Sequence, residues 1–206
     1  MANLVYQFKI SLEGISPTIW RRILVPEKYN FWDLHVAIQD AMGWMDCHLH
    51  EFHIKRSNAR SVTRIGIPDE DRFDGDPIVL AGWEIPVFQY FTQIGTVAEY
   101  VYDFGDDWMH EVVFEGILIR EKGKKYPKCI GGERACPPED CGGIPGYMDL
   151  LEILKDKKHE EYENMVSWLK GHHKNYHPYD PGHFEPGKVK FMNPEKRWEM
   201  AFTEDM

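Results

Sequence analysis

The 206-residue sequence predicts one α+β domain: a mixed or antiparallel sheet with helices packed against it. Three observations carry that expectation. Apolar and polar side chains alternate with period two near the start and again in the middle of the chain. Apolar residues recur at helical spacing once early and twice late. A composition of 43% hydrophobic and 14% aromatic residues supplies enough apolar surface for a core. The length suits a single domain over residues 1–206, with its core at about 4–190.

In residues 4–12, Tyr6, Phe8, Ile10 and Leu12 face one way and Gln7, Lys9 and Ser11 the other, which defines a strand. Gly14 to Pro17 supplies turn chemistry, and residues 18–25 return as a second strand ended by Pro26, with Arg21 and Arg22 on opposite faces. A helix follows at 31–42. Asn30 and Asp33 form a capping-box pattern, Phe31, Leu34, Ile38, Ala41 and Met42 make the apolar stripe with His35 outside it, and Gly43 suits a left-handed C-terminal position. Residues 48–54 return as a strand, so the N-terminal unit reads as a β-grasp-like ββαβ.

Residues 56–77 are polar and interrupted by Pro68, Gly75 and Pro77, an exposed loop; 85–91 read as a short strand or edge segment. Residues 98–104 and 108–119 form a long hairpin turned by Gly105-Asp106-Asp107. A basic loop covers 120–128, and the glycine- and proline-rich stretch 129–146 reads as irregular with a fixed course. Two helices follow. The first, at 146–155, has Pro145 near its start and Tyr147, Leu150, Leu151 and Leu154 on one face; the second, at 159–170, aligns Tyr162, Met165, Val166 and Leu169 and stops at Gly171. Both are expected to share one interior with the early hairpin and helix. From 172 to 206 an irregular tail, rich in His, Pro and Gly, drapes over the surface, and Trp20, Trp44 and Trp108 are assigned to the core.

The formal charge is −10, unevenly spread: residues 1–60 hold 7 basic and 6 acidic groups, leaving 17 and 28 for the rest. A large nucleic-acid footprint needs a basic surface, so this balance speaks against one. The sequence has no basic leader and no 18-residue apolar run, so neither secretion nor membrane insertion is expected. Four cysteines in a chain of this length fit reduced thiols in the cytoplasm.

Several segments together carry a family resemblance. They are Ile19-Trp20-Arg21-Arg22, Phe31-Trp32-Asp33-Leu34-His35, Ile38-Gln39-Asp40-Ala41-Met42-Gly43-Trp44, Tyr102-Asp103-Phe104-Gly105-Asp106-Asp107-Trp108-Met109-His110, Pro137-Pro138-Glu139-Asp140-Cys141-Gly142-Gly143 and Gly146-Tyr147. In this order they resemble the plasmid pRiA4b ORF-3-like family, from about residue 4 to 190. The resemblance implies a fold and assigns no mechanism. Some members are labelled insertion-element passengers, resolvase-like by name. Serine recombinases need a nucleophilic Ser among several arginines, and Ser11 lies on a hairpin strand without such a cluster. At Asp180-Pro181-Gly182-His183-Phe184 the tail departs from the acidic Asp-Pro-Glu-like run usual in that family.

Three constellations are chemically suggestive. Cys129, Cys136 and Cys141, completed by Cys47 or by His50 of the run Cys47-His48-Leu49-His50-Glu51-Phe52-His53, offer thiolate and imidazole ligands for zinc. Their spacing matches no Cys-x-x-Cys knuckle, and small buried thiols bracing a tight loop are the simpler reading. Asp103, Asp106, Asp107, His110 and Glu111 could hold Mg²⁺ or Mn²⁺ for phosphoryl chemistry, or simply build a turn. Glu139, Asp140, Gly142, Gly143 and Tyr147 belong to a rigid loop feeding a helix. That loop could contact a ligand or partner, or its acids could satisfy the first amides of the helix.

No nucleophile–base pair is evident, so the leading expectation is a non-catalytic binding module whose Gly/Pro/Cys loop shapes a pocket for a small molecule or a surface for a protein partner. The alternatives are a metal-dependent hydrolase or nuclease using Asp103, Asp107 and His110, and a mobile-element DNA accessory protein. Zinc is the one cofactor weighed.

Overall fold

In the computed structural model, which describes residues 3–55, 59, 61–69, 73 and 75–202, Leu4–Leu12 (β1) and Trp20–Pro26 (β2) form the expected antiparallel hairpin. Tyr6, Phe8, Ile10 and Leu12 are buried along one face of β1, as the alternation requires. The helix Phe31–Met42 (α1) starts on a capping box: the Asp33 amide donates to Asn30 Oδ1 at 2.8 Å and the Asn30 amide to Asp33 Oδ2 at 3.2 Å. It ends at Gly43 with φ +98°, where the left-handed region admits glycine without strain.

The remaining strands are His50–Ile54 (β3), Thr63–Gly66 (β4), Val79–Ala81 (β5), Val97–Tyr102 (β6), Trp108–Ile119 (β7) and Lys128–Glu133 (β8). All eight join one sheet in the order β5-β4-β3-β6-β7-β1-β2-β8. Only β4 and β5 pair in parallel, so the sheet is mixed. The ββαβ order is present, with the β6–β7 hairpin lying between β3 and β1. Helices Gly143–Lys155 (α2), Tyr162–Gly171 (α3) and Pro194–Phe202 (α4) complete the chain. Among the described residues no helix is long and apolar enough to cross a membrane.

Several expectations are corrected. The loop at 56–77 contains β4, held as an inner strand by Ile65, which reaches the core; residues 56–58, 60, 70–72 and 74 lie outside the described residues. Residues 85–91 are no strand: short 3₁₀ turns at Gly82–Glu84 and Val87–Gln89 pass the start of α1, where the Phe31 amide donates to the Ile85 carbonyl at 3.0 Å. The stretch 129–146 begins as β8, paired to β2. The tail holds a turn at Pro186–Lys188 and α4, while Met1, Ala2 and residues 203–206 are outside the described residues. Trp20 is half-buried on the outer face, with Lys9 and Arg22 over its ring at 5.6 and 5.1 Å, whereas Trp44 and Trp108 are core.

Helix α1 is buried nearly all round. His35 and Gln39 are as inaccessible as Leu34 and Ile38, so His35 is not outside the buried surface. The cause is tertiary. Trp198 and Phe202 of α4 pack on Trp32 with ring centroids 5.3 and 5.5 Å away, closing over the side that would otherwise face water. The late helices share the interior unequally: Tyr147 of α2 enters the main core, whereas Leu150, Val166 and Leu169 are buried outside it.

Candidate functional site

The segment from Arg134 to Gly142 is irregular but anchored along its course. Tyr179 Oη donates to the Cys136 carbonyl at 2.9 Å, Trp44 Nε1 to the Pro137 carbonyl at 3.1 Å, and the Glu139 amide to Tyr176 Oη at 3.2 Å. The Gly142 amide donates to Asp106 Oδ2 at 3.1 Å, tying the loop to the β6–β7 turn. Gly143 has φ +64°, and a Cβ there would lie 2.6 Å from the Asp106 carbonyl oxygen, so the close crossing needs glycine.

On one side this loop walls a cleft of about 530 Å³, closed by the end of α1 and by tail residues from Lys174 to Lys190. Arg21 lines it. This arginine is only 1% exposed: its Nε donates to the Ala41 carbonyl at 2.9 Å, and its Nη1 to those of Trp20 at 2.8 Å and Glu133 at 2.9 Å. The Phe184 ring covers the guanidinium at 3.6 Å. No carboxylate pairs with Arg21 among the described residues, and burial pulls its pKa below the ordinary arginine value. Lys174 and Lys190 add positive charge, Lys188 is paired with Glu185, and Asp180 also lines the cleft. Lys174 Nζ donates to the carbonyls of Gly43 and, at 3.1 Å, Trp44 at the C-terminal end of α1. Asp40 and Glu185 are committed elsewhere, to Arg197 at 3.0 Å and Lys188 at 2.7 Å.

On the other side, Glu139 and Asp140 turn toward His48. Its Nε2 lies 2.8 Å from Asp140 Oδ1, 3.5 Å from Asp103 Oδ2 and 4.0 Å from Glu139 Oε1. Glu139 is buried; Tyr102 Oη donates to its Oε1 at 2.5 Å and the Met45 amide to its Oε2 at 2.8 Å. Two triplets bring potential ligand atoms within 4.8 Å of one another: Cys47, His48 and Glu139, and His48, Asp103 and Asp140.

The sequence-derived sites land differently. Cys129, Cys136 and Cys141 do not converge as ligands among the described residues: Cys129 is a strand residue, and burial raises the pKa of all three thiols, Cys141 to about 12. His50 is sealed against Trp32, His35 and Tyr100, away from that loop. Asp103, Asp107 and His110 form no ligand group among the described residues: Asp103 and Asp107 belong to the turn between β6 and β7, and His110 to β7. His110 points into the core with Trp108, while Asp107 lines a shallow outer groove with His53 and Glu99. Asp103 does act in its turn, its Oδ1 accepting from the Gly105 and Asp106 amides at 2.9 and 3.3 Å. Glu111 is exposed on the outer side of β7.

Neither Glu139 nor Asp140 caps α2, whose cap residue is Gly142, held through its amide by Asp106; Tyr147 is a core residue hydrogen-bonded to Tyr179, their hydroxyls 3.1 Å apart. Sequence patterning alone does not single out Arg21 and Lys174, which line the cleft. For Arg21 a signal exists: it stands in phase with Ile19 and Ile23, which are fully buried.

Three comparisons bear on this chain. The sequence profile of the family described as "Plasmid pRiA4b ORF-3-like protein" matches residues 4–188. The chain is 31% identical over 169 residues to the uncharacterized protein y4hQ of Sinorhizobium fredii (strain NBRC 101917 / NGR234), covering 82% of each. Its fold matches the crystal structure of the protein of unknown function MM3350 from Methanosarcina mazei Go1, with a TM-score of 0.79 and 41% identity over 93% of this chain and 100% of that one.

Proposed function

The chain belongs to the plasmid pRiA4b ORF-3-like family, whose matched relatives are uncharacterised, and we propose that it is a binding module whose Arg21 cleft takes a small organic anion. The observation that carries this reading is Arg21 itself. A buried guanidinium is costly unless charge compensates it, and here three carbonyls and one aromatic face do so only in part. A carboxylate or phosphate in the cleft would complete the pairing, with Lys174 and Lys190 at the rim.

The cleft has the size of a small-molecule site, with apolar walls from Met42, Trp44, Pro137 and Val189. The overall charge of −10 favours a compact anion over a polyanion, which would meet the acidic remainder of the surface. The proposed setting is the cytoplasm, in keeping with four free thiols.

The test is a thermal-shift and calorimetric panel of small carboxylates, nucleoside phosphates and duplex DNA, run on metal-stripped protein. A saturable small anion whose affinity falls at least about tenfold in Lys174→Met and Lys190→Glu supports the reading. Silence across the small anions, or salt-dependent binding of duplex DNA alone, overturns it.

A further inference from the structure

We infer that His48, Asp103 and Asp140, backed by Glu139, form a binding site for a divalent first-row metal cation. This corner lies across the loop from the anion cleft and rests on different observations. Metal–ligand bonds of about 2.0–2.2 Å place neighbouring ligand atoms roughly 3.0–3.5 Å apart. His48 Nε2 is 3.5 Å from Asp103 Oδ2, within that range, and 2.8 Å from Asp140 Oδ1, a hydrogen-bonding separation that would open by a few tenths of an ångström around a cation. Glu139 Oε1, 4.0 Å from His48 Nε2, stands behind the triplet, where it would accept from a water bound to the cation.

The supporting contacts are those of a held site. Asp103 spends Oδ1 on the Gly105 and Asp106 amides, which leaves Oδ2 turned to His48. Tyr102 Oη donates to Glu139 and accepts from the Cys47 amide at 3.1 Å, fixing both sides of the corner.

Charge supplies a second, independent argument. Glu139 is 1% exposed, and no Lys or Arg reaches ion-pair distance of it among the described residues. Three carboxylates therefore face a single imidazole, which even when protonated offsets one of them. A divalent cation offsets two, and with neutral His48 as a nitrogen ligand the set is one suited to Zn²⁺, Mn²⁺ or Co²⁺. Asp140 and His48 are partly open to solvent, so the cation would keep an accessible position.

The experiment uses the full chain, stripped with chelator and titrated with Co²⁺ and then Zn²⁺, with visible absorption, calorimetry and bound-metal analysis as readouts. The expected result is one Co²⁺ per chain with d–d bands, displaced by Zn²⁺. His48→Ala and Asp140→Asn should each weaken binding at least about tenfold, while Asp107→Asn, on the outer face, leaves it unchanged. Both altered side chains are surface-accessible, and circular dichroism checks that each variant is folded. No stoichiometric uptake, or uptake equal in His48→Ala and the native chain, overturns the inference.

Discussion

The imidazoles of His35 and His50 lie face to face, with 3.4 Å between ring centroids and 7° between planes. Two charged rings cannot share that space in a dry interior, and burial together with His35 pushes the His50 pKa well below its ordinary value. His35 joins distant elements: Nδ1 lies 2.9 Å from Tyr100 Oη and Nε2 2.7 Å from Asp46 Oδ1. His35→Ala would leave Asp46 and Tyr100 short of a partner and open a cavity, a loss of about 2–4 kcal/mol. Urea unfolding checks it, and a loss below about 1 kcal/mol would show that the bridge contributes little.

Asp46 leads on to α4. Arg197 donates to Asp46 Oδ2 at 3.1 Å and Asp40 Oδ1 at 3.0 Å, and all three side chains are largely buried. Removing the cation strands two carboxylates, so Arg197→Met should destabilise the protein by about 3 kcal/mol. Hydrogen exchange over 192–202 should accelerate more than exchange in β1, because α4 is held to the body through this pair and the Trp32–Trp198 contact. Uniform acceleration would mean that α4 unfolds only with the whole domain.

How far the fold is legible in the sequence depends on whether an element's own pattern carries its packing. Strand β1 has one buried and one outer face, so its alternation declares it; α1 is bounded by Asn30, Asp33 and Gly43. Helix α4 has a charged sequence, and its Trp198 and Phe202 acquire a purpose only against Trp32 and Trp83, more than a hundred positions away. Strand β8 is hidden by glycines. Gly132 is required because a Cβ there would meet Phe184 at 2.4 Å, a contact no local pattern announces. The metal corner is half visible. Asp103 reads as a turn residue, which its Oδ1 is, but the meeting of its other oxygen with His48 and Asp140 joins three separate loops.

Two glycines separate close packing from helix propensity. A Cβ on Gly146 would sit 1.9 Å from the Cys141 carbonyl oxygen, so Gly146→Ala must displace the loop that carries Glu139 and Asp140. A loss of about 2–4 kcal/mol and weaker cobalt binding are expected together. At Gly171, the last residue of α3, an added Cβ would meet nothing within 4 Å, and Gly171→Ala should be neutral or stabilise by up to about 1 kcal/mol. Thermal and urea denaturation of the pair test this; equal effects would show that loop packing at Gly146 is not the cause.

The last expectation concerns acid. His110 is fully buried on β7, its Nδ1 3.2 Å from the Tyr100 carbonyl oxygen and its Nε2 without a hydrogen-bond partner among the described residues, and burial pushes its pKa down to about 4. In the unfolded chain an imidazole titrates near 6.5, so between these values the unfolded state binds the extra proton. The neutral side chain therefore contributes its full share of stability above about pH 6.5, loses it progressively as pH falls, and has lost it below about pH 4, a total of roughly 3 kcal/mol. His110→Gln removes the titration while keeping a polar group of similar size. The difference in unfolding free energy between native and variant should shrink as pH drops from 7 to 4, because only the native chain carries this linkage. A difference that stays constant across that range would mean that His110 is charged or solvated in the folded protein, and that the core beneath β7 is wetter than its packing against Trp44 and Tyr100 implies.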